Sequence, residues 1–216
     1  MERPNFLNPK IKTDDIELLK YEPIYFQKIK ELAGTGKLIK KIKEFDTLQE
    51  AQEYIKGVPQ KQNTLRQFMT ETLYVIGHSE TSKITAYAIT ENVNGLRLDK
   101  LDLKCQDQDF YQQLDDFLFG SLQMYENTKK CPGVNLKNLI LNENGKLFYV
   151  DSEPFAEYNI EPFEMAQARK RKLIKLFGGN YQSLLPKTAN WILQYEAPSQ
   201  NYKKLKNDAL KLRRSN

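Results

Sequence analysis

The spacing of apolar residues changes partway along the chain, near residues 92–95. Before that point, Lys37–Phe45 (KLIKKIKEF) and Ile84–Glu91 (ITAYAITE) show the loose alternation and β-branched content that are typical of strands. After it, Asp109–Lys130 carries apolar residues close to the i, i+3, i+4 spacing of an amphipathic helix. The sequence therefore predicts an α+β fold in which a β-rich half precedes a helical half.

Two further elements are expected in the first half. Ile24–Leu32 (IYFQKIKEL) alternates loosely and predicts a strand, and Ala33–Gly36 predicts the turn after it because glycine tolerates positive φ angles. A helix is expected over Leu48–Lys56, with Gly57 and Pro59 ending it.

The second half combines helices with one small hairpin. Helical spacing recurs in three segments: Glu164–Phe177, Leu184–Tyr195 and Tyr202–Arg214. Two short apolar runs, Leu139–Leu141 and Leu147–Val150, flank the sequence Asn142-Glu143-Asn144-Gly145. Since Asn-Gly is a strong signal for a tight turn, these two runs are predicted to form a hairpin.

Composition argues against several classes of protein. Hydrophobic residues make up 40% of the 216 residues, which is enough for a core, and no apolar run approaches the roughly 20 residues of a membrane span. One histidine (His78) and two cysteines (Cys105 and Cys131) argue against a histidine-dependent hydrolase triad, a disulfide framework and a common zinc site. Since no apolar signal core follows the start of the sequence, a cytoplasmic protein is expected.

Positive charge is concentrated at the end of the chain. Residues 166–216 contain twelve Lys and Arg and two acidic residues, a net charge of +10, whereas the whole chain carries +5. Such a segment suits an anionic partner, which could be nucleic acid, an acidic protein face or a membrane surface. The alternative is a solvated helix face in a lysine-rich protein.

The segment from Asn138 to Asp151 (NLILNENGKLFYVD) resembles the catalytic-loop-to-metal segment of the protein-kinase-like superfamily. The resemblance implies that Asn138 and Asp151 hold Mg²⁺ against the phosphates of ATP. A hairpin of this length also places its two ends side by side, where two oxygen-bearing side chains can share one cation. The alternative is that both residues only cap the ends of the hairpin.

The order of the preceding elements extends the resemblance. Phe26–Phe45 resembles the second and third strands of a kinase small lobe, which implies that Lys40 or Lys41 binds phosphate. The helix that follows corresponds to the regulatory helix, which implies that Glu50 or Glu53 is the ion-pair partner of that lysine. The alternative for all four is an exposed, solvated position.

The strand and turn at Ile84–Gly95 resemble the fifth strand and hinge, where the backbone binds adenine. This implies that Glu91 and Val93 contact the nucleotide. The resemblance thus predicts a two-lobed fold with a small antiparallel β-rich N-lobe and a reduced helical C-lobe. The predicted regions are an N-lobe (1–91), a hinge (92–95) and a C-lobe (96–216).

The sequence departs from the kinase pattern at the catalytic base. Gly133 occupies the position of the aspartate that accepts the hydroxyl proton in kinases, five residues before the asparagine. No glycine-rich loop precedes the third strand, and no alanine-proline-glutamate element follows Asp151. The candidates to replace this base are Asp115, Asp116, Glu153 or a group of the substrate, and no spacing favours one of them.

The expected function is therefore that of a minimal or degenerate kinase-like protein. We expect a pseudokinase that binds ATP and Mg²⁺ and acts as a binding or regulatory scaffold. Two alternatives stay open at this point. One is an active, unconventional kinase or nucleotidyl transferase, and the other is a basic module that binds nucleic acid or an acidic protein through residues 166–216.

Overall fold

A computed structural model of the chain describes residues 26–61, 63–78, 83–151 and 155–196. The described residues form two compact units. The first unit contains residues from 26–97, 137–143 and 148–151, and the second contains residues from 98–136, 144–147 and 155–196. The fold is mixed α and β with small antiparallel sheets, as predicted. The assignment of two kinase lobes stays a prediction.

The elements follow in chain order. The helices are α1 (Phe26–Ala33), α2 (Leu48–Lys61), α3 (Gln108–Thr128), α4 (Pro162–Phe177), α5 (Tyr181–Leu184) and α6 (residues 186–196). The strands are β1 (Lys37–Phe45), β2 (Thr72–His78), β3 (Ile84–Glu91), β4 (Gly95–Arg97), β5 (Lys130–Cys131), β6 (Leu139–Asn142), β7 (Leu147–Tyr149) and β8 (Ala156–Glu157).

The main sheet of the first unit has the antiparallel order β1-β3-β2. Helix α2 covers one face of it, where Ala51 and Ile55 are buried with side chains of the sheet such as Tyr74, Ile76 and Ala88. A second sheet has the order β4-β6-β7, in which β4 and β6 pair antiparallel. The hairpin predicted from Asn-Gly is confirmed, and Gly145 in its turn has a positive φ of 72°.

The strand predicted over Ile24–Leu32 is wrong, because its described part belongs to helix α1. Ile29 and Ala33 are both buried, and their spacing of four residues places them on one helical face. The loose alternation of this segment fits the period of a strand as well as that of a helix. The burial of one helical face favours the helix. Consequently, the likeness of this segment to a kinase strand does not hold.

Two predicted helix boundaries near prolines are wrong. Helix α2 ends at Lys61 and not at Lys56, so Gly57 and Pro59 lie within it. A proline close to a helix end removes only one backbone donor, so it does not have to stop the helix. The helix predicted over Leu184–Tyr195 is instead divided at Leu185, where the backbone leaves the helical region just before Pro186.

Helix α3 forms the centre of the second unit, where Phe117, Leu122 and Tyr125 are fully buried. It begins at Gln108, capped by the Asp107 carboxylate, and ends at Thr128, after which Lys129 adopts the left-handed conformation. The observed helix thus agrees within two residues with the segment Asp109–Lys130 expected from the apolar spacing. The helix predicted over Tyr202–Arg214 lies outside the described residues. Of the helices within the described ranges, none is long and apolar enough to cross a membrane.

Candidate functional site at the base of the hairpin

The hairpin brings its two ends together in the first unit. The backbone N–H of Val150, just after β7, donates to the carbonyl oxygen of Asn138, just before β6, at 2.8 Å. Asn138 itself ends a short 3-10 helix over Leu136–Asn138. This closing hydrogen bond keeps Asn138 close to Asp151, the residue that follows Val150.

The side chains of Asn138 and Asp151 meet directly. The Asn138 Nδ2 donates to the Asp151 Oδ2 at 2.6 Å, and the Tyr149 hydroxyl donates to the same oxygen at 3.3 Å. Asn138 and Asp151 are half-buried, whereas Tyr149 is buried. The predicted convergence of one amide and one carboxylate is therefore present, although sequence analysis missed Tyr149.

Of the two candidate lysines, Lys40 reaches this place. Its Nζ donates to the Val150 carbonyl oxygen at 2.6 Å, beside Asp151. Burial lowers the pKa of Lys40, and the Asp151 carboxylate acts in the opposite direction. The Lys41 Nζ is instead 2.6 Å from Glu44 on an exposed face. Neighbouring residues of a strand point to opposite faces, which explains why Lys40 contacts the hairpin and Lys41 does not.

The two candidate glutamates are placed elsewhere. Glu50 lies in the first turn of α2, where Thr47 caps the helix, and the Glu53 carboxylate accepts a hydrogen bond from Gln49 at 3.2 Å. Both line a cavity with Lys43. Within the described part of the chain, neither glutamate forms an ion pair with Lys40, so Lys40 does not have the predicted glutamate partner.

The predicted adenine contacts lie at the end of β3. The Glu91 carboxylate accepts a hydrogen bond from Lys37 at 3.1 Å, and Val93 is half-buried in the following turn. Lys37 pairs with Glu91 in the sheet, whereas Lys40 pairs with Ala88. Three residues along a strand correspond to about 10 Å. The role of Glu91 and Val93 in binding a nucleotide stays a prediction.

The position expected for a catalytic base belongs to the second unit. A Cβ added to Gly133 would meet only the Tyr158 hydroxyl, at 3.9 Å, so the site has room for a side chain that the sequence does not supply. Asp115 is buried and accepts the backbone N–H groups of Lys187 and Thr188. Asp116 accepts a hydrogen bond from Lys187 Nζ. Both aspartates thus have structural partners, and Glu153 lies outside the described residues.

Part of the basic segment is described, and its charges are partly compensated. Lys170 pairs with Glu196 at 2.7 Å, and Lys187 pairs with Asp116. The partners expected for this segment stay a prediction. Comparison of the chain with models of protein families found no match, and comparison with curated proteins found none either.

Proposed function

We propose that the chain binds ATP with Mg²⁺ at the base of the hairpin, as a kinase-like protein without the usual catalytic aspartate. The observation that carries the proposal is the 2.6 Å contact of Asn138 with Asp151, beside the Lys40 ammonium. One carboxylate, one amide and one lysine thus meet in a single unit. Their order along the chain is the order that the resemblance to kinases requires.

The donor atoms available at this place suit magnesium. In nucleotide sites, Mg²⁺ is held by one or two carboxylates, with waters and phosphate oxygens completing its octahedron. Asp151 would supply the carboxylate, and the Asn138 amide, turned so that its oxygen and not its nitrogen faces Asp151, would supply a second oxygen ligand. No group of three or more His, Cys, Asp or Glu that could hold a metal occurs in the described ranges, so nucleotide and water would complete the coordination. The ion would neutralise phosphate charge.

Lys40 supplies the second positive charge. Its ammonium is partly removed from water and, among the described residues, has only a neutral carbonyl oxygen at hydrogen-bonding distance. A phosphate oxygen is a stronger acceptor for an ammonium than a carbonyl, because the hydrogen bond is then charge-assisted on both sides. We therefore assign Lys40, and not Lys41, as the phosphate-binding lysine.

Binding without efficient phosphoryl transfer is the form of the proposal that the residues favour. Gly133 has no group that accepts a proton, and Asp115 and Asp116 already serve other contacts. Loss of general-base assistance costs about 10²–10⁴-fold in rate. A pseudokinase that acts as a nucleotide-dependent scaffold is the resulting function.

Calorimetric titration with ATP and Mg²⁺ tests the proposal. We expect Lys40→Met to weaken ATP binding by about tenfold or more, because a hydrogen bond between charged groups is lost. Lys41→Met is the matched control, since it removes the same charge from the next position of the strand, and it should change the affinity by less than about twofold. Equal effects of the two substitutions, or no binding at millimolar ATP, would contradict the proposal.

A second titration separates the metal from the nucleotide. Removal of Mg²⁺ with a chelator should weaken ATP binding to the unsubstituted chain. In Asp151→Asn, which keeps the shape of the side chain but removes its charge, the chelator should have a much smaller effect. A chelator effect that is the same in both proteins would show that Asp151 does not hold the ion.

A further inference from the structure

The second unit contains a cavity whose lining includes Gly133 but none of the three residues that carry the proposed nucleotide site. Its volume is about 250 Å³, and its walls combine the apolar side chains of Val134, Ile160 and Met165 with two cations, Arg169 and Lys172. Asn135, which also lines it, is exposed, so the cavity opens to solvent. Its size is below the range of about 300–1,000 Å³ that is typical for drug-sized ligands, so its occupant would be small.

Arg169 is the unusual feature of this cavity, because the side chain is only 8% exposed. Its Nη2 donates to the Pro132 carbonyl oxygen at 3.2 Å and lies 3.3 Å from the Cys131 sulfur. Its Nε is buried, and no described atom accepts a hydrogen bond from it. Leaving a buried, charged donor without an acceptor is costly, and most buried polar groups are paired.

The positive charge of the cavity also has no counter-charge within the described ranges. No carboxylate lies within 4 Å of Arg169 or Lys172 there, whereas neighbouring Lys170 pairs with Glu196 at 2.7 Å. The Lys172 ammonium donates to the Val134 carbonyl oxygen. Partial burial lowers the pKa of Lys172, and the Arg169 guanidinium lowers it further. An anion between the two cations would relieve their repulsion.

A bound water would not compensate the positive charge of the cavity. A smaller void of about 10 Å³ adjoins Arg169, Lys172 and Thr188, and this is near the lower limit for one water molecule. A water there would be an acceptor for the Arg169 guanidinium. It carries no charge, however, so both cations would remain uncompensated.

We infer that this cavity is a binding site for a small phosphate monoester with an apolar body. A phosphate monoester carries a charge of about −1.5 to −2 at neutral pH, which matches the two cations, whereas a single carboxylate would neutralise only one. The planar guanidinium also suits the oxygen atoms of a phosphate. The apolar walls would contact the organic part of the ligand.

Titration with phenyl phosphate, followed by calorimetry and by NMR of the full chain, tests this inference. We expect saturable binding that Lys172→Met weakens by about tenfold or more. Arg171→Met on the same helix is the matched control, because Arg171 is exposed like Lys172 but does not line the cavity, and it should bind like the unsubstituted chain. Arg169→Lys keeps the charge but loses the fork of donors, and should also bind more weakly.

Three results would overturn the inference. They are absence of binding, an equal affinity for phenol (which would show that only the apolar walls bind) and a tighter affinity for benzoate (which would assign the site to carboxylates). If substitution of the buried Arg169 prevents folding, Lys172→Met still tests the inference, because Lys172 is exposed. Asp151→Asn should leave phenyl phosphate binding unchanged, so this site and the proposed nucleotide site can fail independently.

Discussion

Lys40 and Lys41 are neighbouring residues of the same type, and the chain gives them different surroundings. The ammonium of Lys40 contacts the hairpin beside Asp151, whereas that of Lys41 pairs with Glu44 on the surface. Composition and spacing left this choice open. Strand alternation requires that the two point to opposite faces, but only the position of the hairpin decides which face matters.

The Tyr195 hydroxyl is expected to lose its proton at a higher pH than an ordinary tyrosine. Its hydroxyl donates to the Glu126 carboxylate, and this hydrogen bond, with burial and the carboxylate charge, raises the pKa of Tyr195 to about 12. The folded state therefore keeps the proton that the unfolded state loses near pH 10. The resulting contribution to stability is fully present below pH 10 and is lost as the pH rises towards 12.

NMR titration of ¹³C-labelled tyrosine checks this, with Tyr195→Phe used to assign the signal. Glu126→Gln should return the pKa of Tyr195 towards about 10, because the neutral amide is a weaker acceptor. Glu157→Gln serves as the control, since Glu157 pairs with Lys130 instead, and should leave the pKa unchanged. A pKa of Tyr195 that does not respond to Glu126→Gln would contradict the assignment.

At the scale of elements, helix α6 depends on a cap that its own sequence lacks. Pro186 starts the helix, but the residue before it, Leu185, has no polar side chain to accept the first backbone N–H groups. The Asp115 carboxylate, from the middle of α3, accepts those of Lys187 and Thr188 at 2.8 and 2.9 Å. A negative charge at a helix N-terminus is also favourable.

We expect Asp115→Ala to lower the free energy of unfolding by about 2–3 kcal/mol, because it leaves two backbone donors without their acceptor. Chemical denaturation measures the change. Asp116→Ala is the neighbouring control, and it removes only a partly exposed ion pair with Lys187, for which about 0–1 kcal/mol is expected. Equal losses for the two substitutions would mean that Asp115 does not act as the cap.

The elements differ in how far their sequence determines them. Strand β3 and the Asn-Gly hairpin were predictable from their own residues. The β-branched side chains of β3 favour a strand, and the Asn-Gly pair favours a tight turn with positive φ. Helix α1 was not, because the spacing of the apolar residues in Ile24–Leu32 fits the period of a strand as well as that of a helix, and the burial of Ile29 depends on packing. The cap of α6 and the burial of Arg169 could not be predicted either, since both depend on residues distant in the sequence.

For the whole molecule, the path of the chain determines which fragments can fold. The first unit takes up residues 26–97 and then residues of the hairpin, 137–143 and 148–151. Strand β4 pairs with β6, and a Cβ at Gly95 would lie 2.3 Å from the Leu141 carbonyl oxygen, so only glycine allows this approach. The two ends of the hairpin are thus an integral part of the first unit, whereas its turn, residues 144–147, belongs to the second.

A fragment that ends at Arg97 is therefore expected not to unfold cooperatively in urea. It lacks the partner of β4, and it lacks Leu139 and Tyr149, which are 0% and 3% exposed in the chain. Fusing residues 137–151 to Arg97 through a short glycine-serine linker should restore a cooperative transition and the dispersed NMR spectrum of a packed core. The fusion also carries Lys40, Asn138 and Asp151, so under the proposed function it should bind ATP with Mg²⁺, whereas the shorter fragment should not. Cooperative unfolding of the shorter fragment with the same midpoint as the fusion would show that the hairpin contributes nothing to this unit.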